Sequence, residues 1–530
     1  MTTIRLPTAA PPHGTVLGTA PGTAESAEAY RAAGGYDTAT GPDELLGHLT
    51  ASGLRGRGGA GFPAAVKLRS VRDRGGAPVV VANGEEGEPG SVKDRWLLRA
   101  RPHLVLDGLA RAAAMTGAVR GFVYLADPVA GDSVRRALAA HPPPLPVEVV
   151  ETGHTYVAGE ETAVVRRIDG GPALPTAKPP RPYEKGVGGA PTLVSNVETL
   201  ARIALTATRP DLRRSIARGT LVTLSGGPAG PVLTEVPYGV PLRALAARYG
   251  APAAAGALMG GLFGGLVDAR ALDLPLEPGA LAAAGTALGC GAIRFLAPGD
   301  CPVTTAADAA AHLAAESARQ CGVCVSGTRA VGDALYALAA GAAGPDTADR
   351  LHRWSQGLPG RGACGLLDAA AGIAGSLLRS FPDLVRSHLA APCPPCAAAA
   401  PAAGRNRLTV AVPQVPEPPA RPRPRPPTPA PAPASAPATS PATTAPPTSA
   451  PAASPATTAV PLPTPADATT AVPALTPAAK PGTTALPAPA PADCPTATAL
   501  PAPAVSPVSA TTLPSRAAAP LPPPVLKGTP

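Results

Sequence analysis

Aromatic residues are scarce: five Phe, eight Tyr and two Trp, or 3% of 530 residues. Few rings are available to stack on nucleic-acid bases, and the charge of the first 400 residues is close to balanced. Both weigh against nucleic-acid binding. Charge itself is sparse, at 15% Asp, Glu, Lys and Arg. Of the net +9, five charges lie from Pro401 onward, where eight basic residues stand against three acidic ones. The run Arg421-Pro-Arg-Pro-Arg425 within that stretch reads as a solvated linker. Long hydrophobic runs are also missing. ALYALAAGAAG is far shorter than the roughly 20 residues a membrane-spanning helix needs, and MTTIRLPTAAPPHG holds no apolar segment of the kind a secretory signal requires. A cytoplasmic protein is expected, with its eight cysteines reduced and better read as metal ligands than as disulfides. There are no tandem repeats.

Proline, by contrast, is abundant at 73 residues, many of them beyond Ala397. Pro, Ala, Thr and Ser with almost no aromatics cannot bury enough apolar area to offset ordering entropy. Disordered segments are therefore expected over 1–25 and 397–530, the second with polyproline II character. Between them, strand-like runs at 78–83, 121–127 and 147–153 alternate with helical patterns (RPHLVLDGLARAAAMTG, DSVRRALAAH), the signature of a parallel α/β layer. Residues 220–274 read as a small β-rich unit with one helix between strand pairs. Residues 305–390 read as four helices forming a compact bundle, the last running through GLLDAAAGIAGSLLRSFPDLVRSHL.

The chemistry concentrates in residues 54–98. Gly56-Arg57-Gly58-Gly59-Ala60-Gly61 fits G-x-G-x-x-G, but DELLGHLTASG before it reads as helix, so the Rossmann fingerprint fails on context. Small residues still let backbone N–H groups approach an anion, and Lys67 can pair with a phosphate. Asn83-Gly84-Glu85-Glu86-Gly87-Glu88 follows the PVVVA strand, and carboxylates at the carboxyl end of a parallel strand hold ribose hydroxyls in α/β nucleotide sites. They would also repel a 2′-phosphate, favouring NADH over NADPH. The alternative reading is a solvated acidic loop. Tyr156-Val-Ala-Gly159-Glu160-Glu161, Lys178-Pro-Pro and Ser195-Asn196-Val-Glu-Thr199 stand alone as a helix start, a rigid loop and another helix start.

Four thiolates hold an iron–sulfur cluster, commonly two or three in C-x-x-C register and one from a distant segment. Cys321-Gly-Val-Cys324 and Cys364 follow that pattern. Cys393-Pro-Pro-Cys396 is a second pair, too far from the first for a zinc ribbon. Cys290 and Cys301 read as buried apolar residues, and Cys494 is a stray in the tail.

Taken in order, GLRGRGGAGFP, NGEEGEPGSVKDR, YVAGEETA, KPP, PTLVSNVETL, a β-rich segment, C-x-x-C and a lone downstream Cys make residues 26–390 resemble the NADH-binding flavoprotein subunit of respiratory NADH:quinone oxidoreductase (complex I) and its relatives among NAD-reducing hydrogenases and formate dehydrogenases. The resemblance implies a Rossmann-like α/β flavin domain (26–215), a ubiquitin-like β-grasp domain (216–300) and a C-terminal four-helix iron–sulfur bundle (301–396). It implies FMN held by Gly56, Arg57, Gly58, Lys67, Asn83, Glu85, Glu86, Tyr156, Gly159, Glu160, Val194, Ser195, Asn196 and Thr199, and NADH held by Gly59, Phe62, Glu88, Glu161 and Lys178. A 4Fe-4S cluster would use Cys321, Cys324 and Cys364. Glu85 stands where the family usually has Asp, and Ser195 where it usually has Asn; both keep oxygen-based hydrogen bonding.

Three departures are notable. Where family members stack the adenine between aromatic rings, this chain has Arg69 and Arg181, which can stack as guanidinium planes or recruit a 2′-phosphate. Ala318 replaces the first cysteine of the family's C-x-x-C-x-x-C. A fourth ligand from Cys393 or Cys396, a labile iron or non-cysteine ligand, and loss of the cluster all remain open. The expected activity is NADH oxidation through flavin, with no protein acid or base needed. Electrons would pass to a small 2Fe-2S thioredoxin-like subunit or a ferredoxin, and any contact with quinone would run through other subunits. The alternative is a non-enzymatic scaffold that keeps the fold.

Overall fold

A computed structural model of the chain describes residues 16–228, 230–398 and 407–416. Its first sheet contains β1 (Val79–Asn83), β2 (Arg120–Leu125), β3 (Val147–Glu151) and β4 (Thr192–Asn196), in the order β3-β2-β1-β4, and every pairing is parallel. Parallel strands need crossover helices on both faces, so β1 must be apolar on both sides. Val80 and Ala82 pack with the helices Lys93–Ala100, Pro102–Thr116 and Val197–Thr208. Val79 and Val81 pack on the other face with Phe122, Tyr124, Val164 and Val194. The order reverses between β1 and β4: β2 follows on one side of β1, and β4 returns on the other. The carboxyl ends of those two strands therefore form a switch point, where open α/β sheets leave a crevice for ligands.

A mixed second sheet has the order β6-β5-β9-β7-β8. It is built from β5 (Gly219–Ser225), β6 (Val232–Pro237), β7 (Gly256–Met259), β8 (Gly265–Asp268) and β9 (Ala292–Phe295). Only β5 with β9 is parallel. The short helix Leu242–Arg248 lies between β6 and β7 in sequence and packs Leu242, Leu245 and Ala246 onto this sheet.

Helices Pro302–Ala315, Gly322–Ala339, Thr347–Gly357, Leu366–Ser380 and Pro382–Ala390 bury a third core around Leu313, Leu335, Leu367 and Ile373. The single helix expected over 365–389 is two. Phe381 leaves helical geometry at φ −136° and ψ 49°, because Pro382 excludes helical backbone from the residue before it and removes a donor. Among the described residues no helix is long and apolar enough to cross a membrane.

Both terminal expectations need correcting in part. Val16 and Leu17 are buried, and the Val16 amide donates to Glu235 Oε2 at 2.9 Å. Residues 407–416 also pack on the body, although composition assigned them to the tail. Leu408 and Val410 are buried, the Val410 amide donates to Pro89 O at 2.9 Å, and Pro416 O accepts from Ala24 N at 3.1 Å. The cause is local: Leu408, Val410 and Val412 alternate with small or polar residues, a strand-like period that proline-rich surroundings conceal. Residues 1–15, 399–406 and 417–530 lie outside the described residues.

Candidate functional site

The glycine turn follows the helix Pro42–Ser52 and is closed by Gly56 N donating to Phe62 O at 2.8 Å. Gly59 and Gly61 have φ of 109° and 60°, backbone that side chains with a Cβ rarely adopt. A Cβ on Gly58 would meet the Asn196 side chain at 3.3 Å, so the turn lies against the end of β4. Among the described residues the amides of Gly58, Gly59, Ala60 and Gly61 donate to no group. Consecutive unpaired amides at a turn make an anion cradle. Phe62 is 51% exposed beside it.

Arg57 does not face this cradle. Its guanidinium is buried and donates to Arg55 O, Ala217 O and Gly219 O at 2.7 to 2.8 Å, while its amide donates to Thr199 Oγ1 at 2.9 Å. Arg57 thus fastens the turn to the start of β5. Burial, then the neighbouring Arg202 charge, holds its pKa below the usual value.

At the end of β1, the Asn83 side chain donates to Gly159 O at 2.8 Å and accepts from Glu85 N at 3.2 Å. The three carboxylates beyond it are all engaged. Glu85 meets His154 Nδ1 at 3.1 Å; burial pushes Glu85 up, and the hydrogen bond raises His154. Glu86 accepts from Ser91 Oγ (2.5 Å) and from the amides of Asp94 and Arg95 (3.2 Å each), capping the helix Lys93–Ala100. Glu88 accepts from Tyr156 Oη at 2.8 Å and from Leu262 N at 3.0 Å. Burial pushes its carboxyl up to about 7.

Beneath the loop lies a charged network that the motifs of the sequence do not reveal. Lys93 is 2.7 Å from Asp94 and 3.3 Å from Glu198, Asn196 donates to Asp94 at 2.7 Å, and Arg202 joins Glu198 to Glu235. Buried Glu198 would be pushed up by desolvation, yet Lys93, Arg202 and Arg57 outweigh that and keep it low. Burial would likewise pull Lys93 down, but Asp94, Glu198 and Glu86 surround it and hold it protonated. The only signal in the sequence is a Lys-Asp pair at the start of the helix Lys93–Ala100.

The rim carries mixed charge. Lys67 lies 3.4 Å from Glu161; Lys178 lies 2.6 Å from Glu160 and 3.6 Å from Glu161; Arg181 lies 3.8 Å from Glu161. Glu160 also caps the helix Glu161–Ile168 through Thr162 N and Ala163 N. Arg69 is directed elsewhere, to Thr50 Oγ1 at 2.6 Å. The Val194 side chain belongs to the core beneath the sheet, so only its backbone can face a ligand. Half-buried Ser195 and the helix-capping Asn196 end β4.

Tyr156 links this site to the helices, its amide donating to Glu316 Oε2 at 3.2 Å. Just beyond Glu316, Cys321, Cys324 and Cys364 line one cavity with Ser317, Ala318, Gln320 and Pro175. Burial and then the nearness of Cys364 and Cys321 push the Cys324 thiol up. Ala318, in the position of the missing cysteine, faces the same space. Cys393 and Cys396 do not line this cavity. They gather with Cys301 and His388, which corrects the expectation that one of them completes the ligand set at Cys321.

Residues 49–205 match the family model described as the Nuo51 FMN-binding domain, and residues 304–388 match the NADH-ubiquinone oxidoreductase-F iron-sulfur binding region. The NADH-quinone oxidoreductase F polypeptide of Streptomyces coelicolor is 32% identical over 393 residues, covering 68% of this chain and 88% of the relative. The F polypeptide of Salmonella typhimurium is 34% identical over 300 residues, covering 49% and 66%. The crystal structure of an NAD+-reducing NiFe hydrogenase in the H2-reduced state aligns with a TM-score of 0.62 and 29% identity, over 73% of this chain and 68% of that one. Both matched regions coincide with the geometry above, the first with the switch-point crevice and the second with the helices around the cysteine cavity: the chain belongs to the family of the NADH-quinone oxidoreductase F polypeptide.

Proposed function

We propose that this chain is an NADH-oxidising flavoprotein that binds FMN in the crevice at β1 and β4 and passes electrons on through a 4Fe-4S cluster. The observation that carries the reading is the row of unpaired amides from Gly58 to Gly61 at the switch point of the sheet. These amides, with Lys67 nearby, suit the FMN phosphate. Asn83, Ser195, Asn196 and Thr199 supply polar groups for the ribityl chain, and the backbone of Gly159 and Val194 closes the crevice. Exposed Phe62 offers a face for NADH to stack on, while Glu161 and Lys178 hold its polar parts. When bound, FMN would supply the chemistry that couples two-electron oxidation of NADH to one-electron transfer onward, and that chemistry belongs to the cofactor. Arg57, Glu86 and Glu160 contribute by fixing the loops, and Glu85 and Glu88 by joining the acidic loop to His154, Tyr156 and Leu262. The carboxylates near the ribose site favour NADH; Arg181, on the rim, is where a 2′-phosphate would find a partner.

Cys321, Cys324 and Cys364 would hold the cluster. With Cys393 and Cys396 engaged elsewhere, Ser317 is the lining hydroxyl nearest to hand, its Oγ 3.8 Å from Cys324 Sγ, while the Gln320 side-chain oxygen already accepts from Arg166. The onward acceptor is a soluble iron–sulfur protein, either a small 2Fe-2S thioredoxin-like subunit or a ferredoxin, and the protein works in the cytoplasm or beside the membrane through partners. The finer fold names follow from the same reading. The parallel sheet supports a Rossmann-like flavin domain, the mixed sheet with one inserted helix supports a β-grasp domain, and the packed helices from Pro302 to Ser380 support a four-helix bundle.

The test is anaerobic. Reconstituted protein should show a flavin spectrum that bleaches on adding NADH, and Cys321→Ala should remove the iron while leaving the flavin. Flavin that NADH cannot reduce would overturn the enzyme reading in favour of a scaffold.

A further inference from the structure

Away from the flavin crevice and the cavity at Cys321, one group of side chains has no part in the function above. Cys301 precedes the helix Pro302–Ala315, His388 lies in the last turn of the helix Pro382–Ala390, and Cys393 and Cys396 follow that helix. Their donor atoms all lie within 4.8 Å of one another. We propose that these four residues hold a single tetrahedral metal ion, zinc by the chemistry of the donors.

The distances fit such an ion. Bonds of about 2.3 Å to sulfur and about 2.0 Å to nitrogen at tetrahedral angles separate S from N by roughly 3.5 Å. His388 Nε2 is 3.6 Å from Cys301 Sγ and 3.4 Å from Cys396 Sγ. The imidazole is oriented for the role: Nδ1 lies 2.9 Å from Leu384 O, so the ring donates there and Nε2 keeps its lone pair, the carbonyl-backed arrangement typical of metal-ligating histidine. Thr304 Oγ1, 2.8 Å from Cys396 Sγ, supports a second ligand from outside the set. His388 is fully buried, Cys301 and Cys396 are nearly so, and Cys393 is half-buried.

The ligand pattern is also coherent. His388, Cys393 and Cys396 form a local H-x4-C-x2-C, and Cys301 comes from a remote segment. Three thiolates and an imidazole with no vacant position make a closed, structural site rather than a catalytic one. A disulfide between any two of the cysteines would leave the third thiol and the imidazole buried without a common partner. An iron–sulfur cluster spreads its ligands around several irons, whereas this set converges on room for one ion.

The ion would tie the residues after the helix Pro382–Ala390 to the start of the helix Pro302–Ala315. Residues 407–410 return across the same end, where Arg407 pairs with Asp308 at 2.7 Å and Leu408 is buried. Metal binding at Cys396 would therefore hold that residue at the end of the molecule where Leu408 is buried. None of this depends on the flavin reading, so the two fail separately.

The full chain, expressed with zinc supplied and purified without oxygen, should carry about one zinc per chain beside its iron. Cys393→Ser and Cys396→Ser should each lower zinc occupancy by at least roughly tenfold with iron unchanged. Cobalt titrated into chelator-treated wild type should give a thiolate-to-cobalt charge-transfer band and intense tetrahedral d–d bands, and His388→Gln should shift the latter. Should the serine variants fail to fold, the wild-type cobalt spectrum decides alone. Zinc-free wild type with no thiolate–cobalt band would overturn the proposal. So would a disulfide among these cysteines, or iron and sulfide lost together in Cys396→Ser.

Discussion

Two loops meet at the ends of β1 and β4 and use their polar groups in opposite ways. The turn at 55–63 leaves four consecutive amides unpaired among the described residues and has its one buried charge, Arg57, facing inward. The loop at 83–90 is rich in carboxylates, yet every one is hydrogen-bonded within the protein. The turn is a binding surface made of backbone. The acidic loop is mainly a clamp joining the first sheet, the second sheet and the Tyr156 segment, and what it offers a ligand is position. Charge at a site is therefore a poor guide to which group touches the ligand, because buried charges must first satisfy one another.

The largest effect should come from breaking the clamp at its base. Lys93→Met leaves Asp94 and Glu198 buried with a partner removed, a change that costs about 3–5 kcal/mol. Denaturant unfolding of the flavin-free protein should show the loss in its midpoint. A loss below about 1 kcal/mol, no more than an average substitution, would mean that Arg202 and Asn196 satisfy those carboxylates by themselves.

Next comes the turn. Gly58→Val puts branched carbons where a single Cβ already sits 3.3 Å from the Asn196 side chain, and it shields the neighbouring amides. Losing charge-assisted hydrogen bonds worth roughly 1.5–3 kcal/mol should weaken FMN binding about tenfold or more, with the apo-protein's unfolding midpoint nearly unmoved. If stability drops as far as in Lys93→Met while FMN affinity holds, the division between binding turn and structural clamp is wrong.

How much of this can be read from the sequence follows the range of the interactions. β1 is legible because VVVA is apolar at every position, as burial on both faces requires. The glycine turn is legible because only glycine tolerates its backbone at Gly59 and Gly61. The inward use of Arg57 is not, since two of the three carbonyls it binds, those of Ala217 and Gly219, are about 160 residues away. The Lys93–Glu198–Arg202–Glu235 network is hidden for the same reason. Cys301 reads as a buried apolar residue and is indeed buried, but its partner His388 lies 87 positions on. The local H-x4-C-x2-C is in plain view, yet the two C-x-x-C pairs draw the eye from it. The break at Pro382 and the alternation at 408–412 are readable too, each masked by the composition around it.

The smallest effect belongs to Glu88, and it tests whether the acidic loop is a clamp at neutral pH. Burial raises its carboxyl to about 7, against opposing hydrogen bonds from Tyr156 and Leu262. A carboxyl whose folded pKa lies above its unfolded value binds its proton more tightly in the native state, so its contribution to stability is full below the unfolded pKa and is lost as pH rises through about 7. The unfolding temperature of the apo-protein should therefore decline between about pH 5 and 8. Asp94, also raised to about 7 by burial, pushes the same way, so the decisive quantity is the difference between wild type and Glu88→Gln. The neutral amide can accept from Leu262 N through its oxygen and donate to Tyr156 Oη through its nitrogen, and it has no carboxyl proton to lose, so its profile should be flatter across that interval. Parallel profiles would mean that Glu88 is ionised throughout and that its contacts with Tyr156 and Leu262 are those of an ordinary carboxylate, leaving the loop's charge free to act on a bound nucleotide.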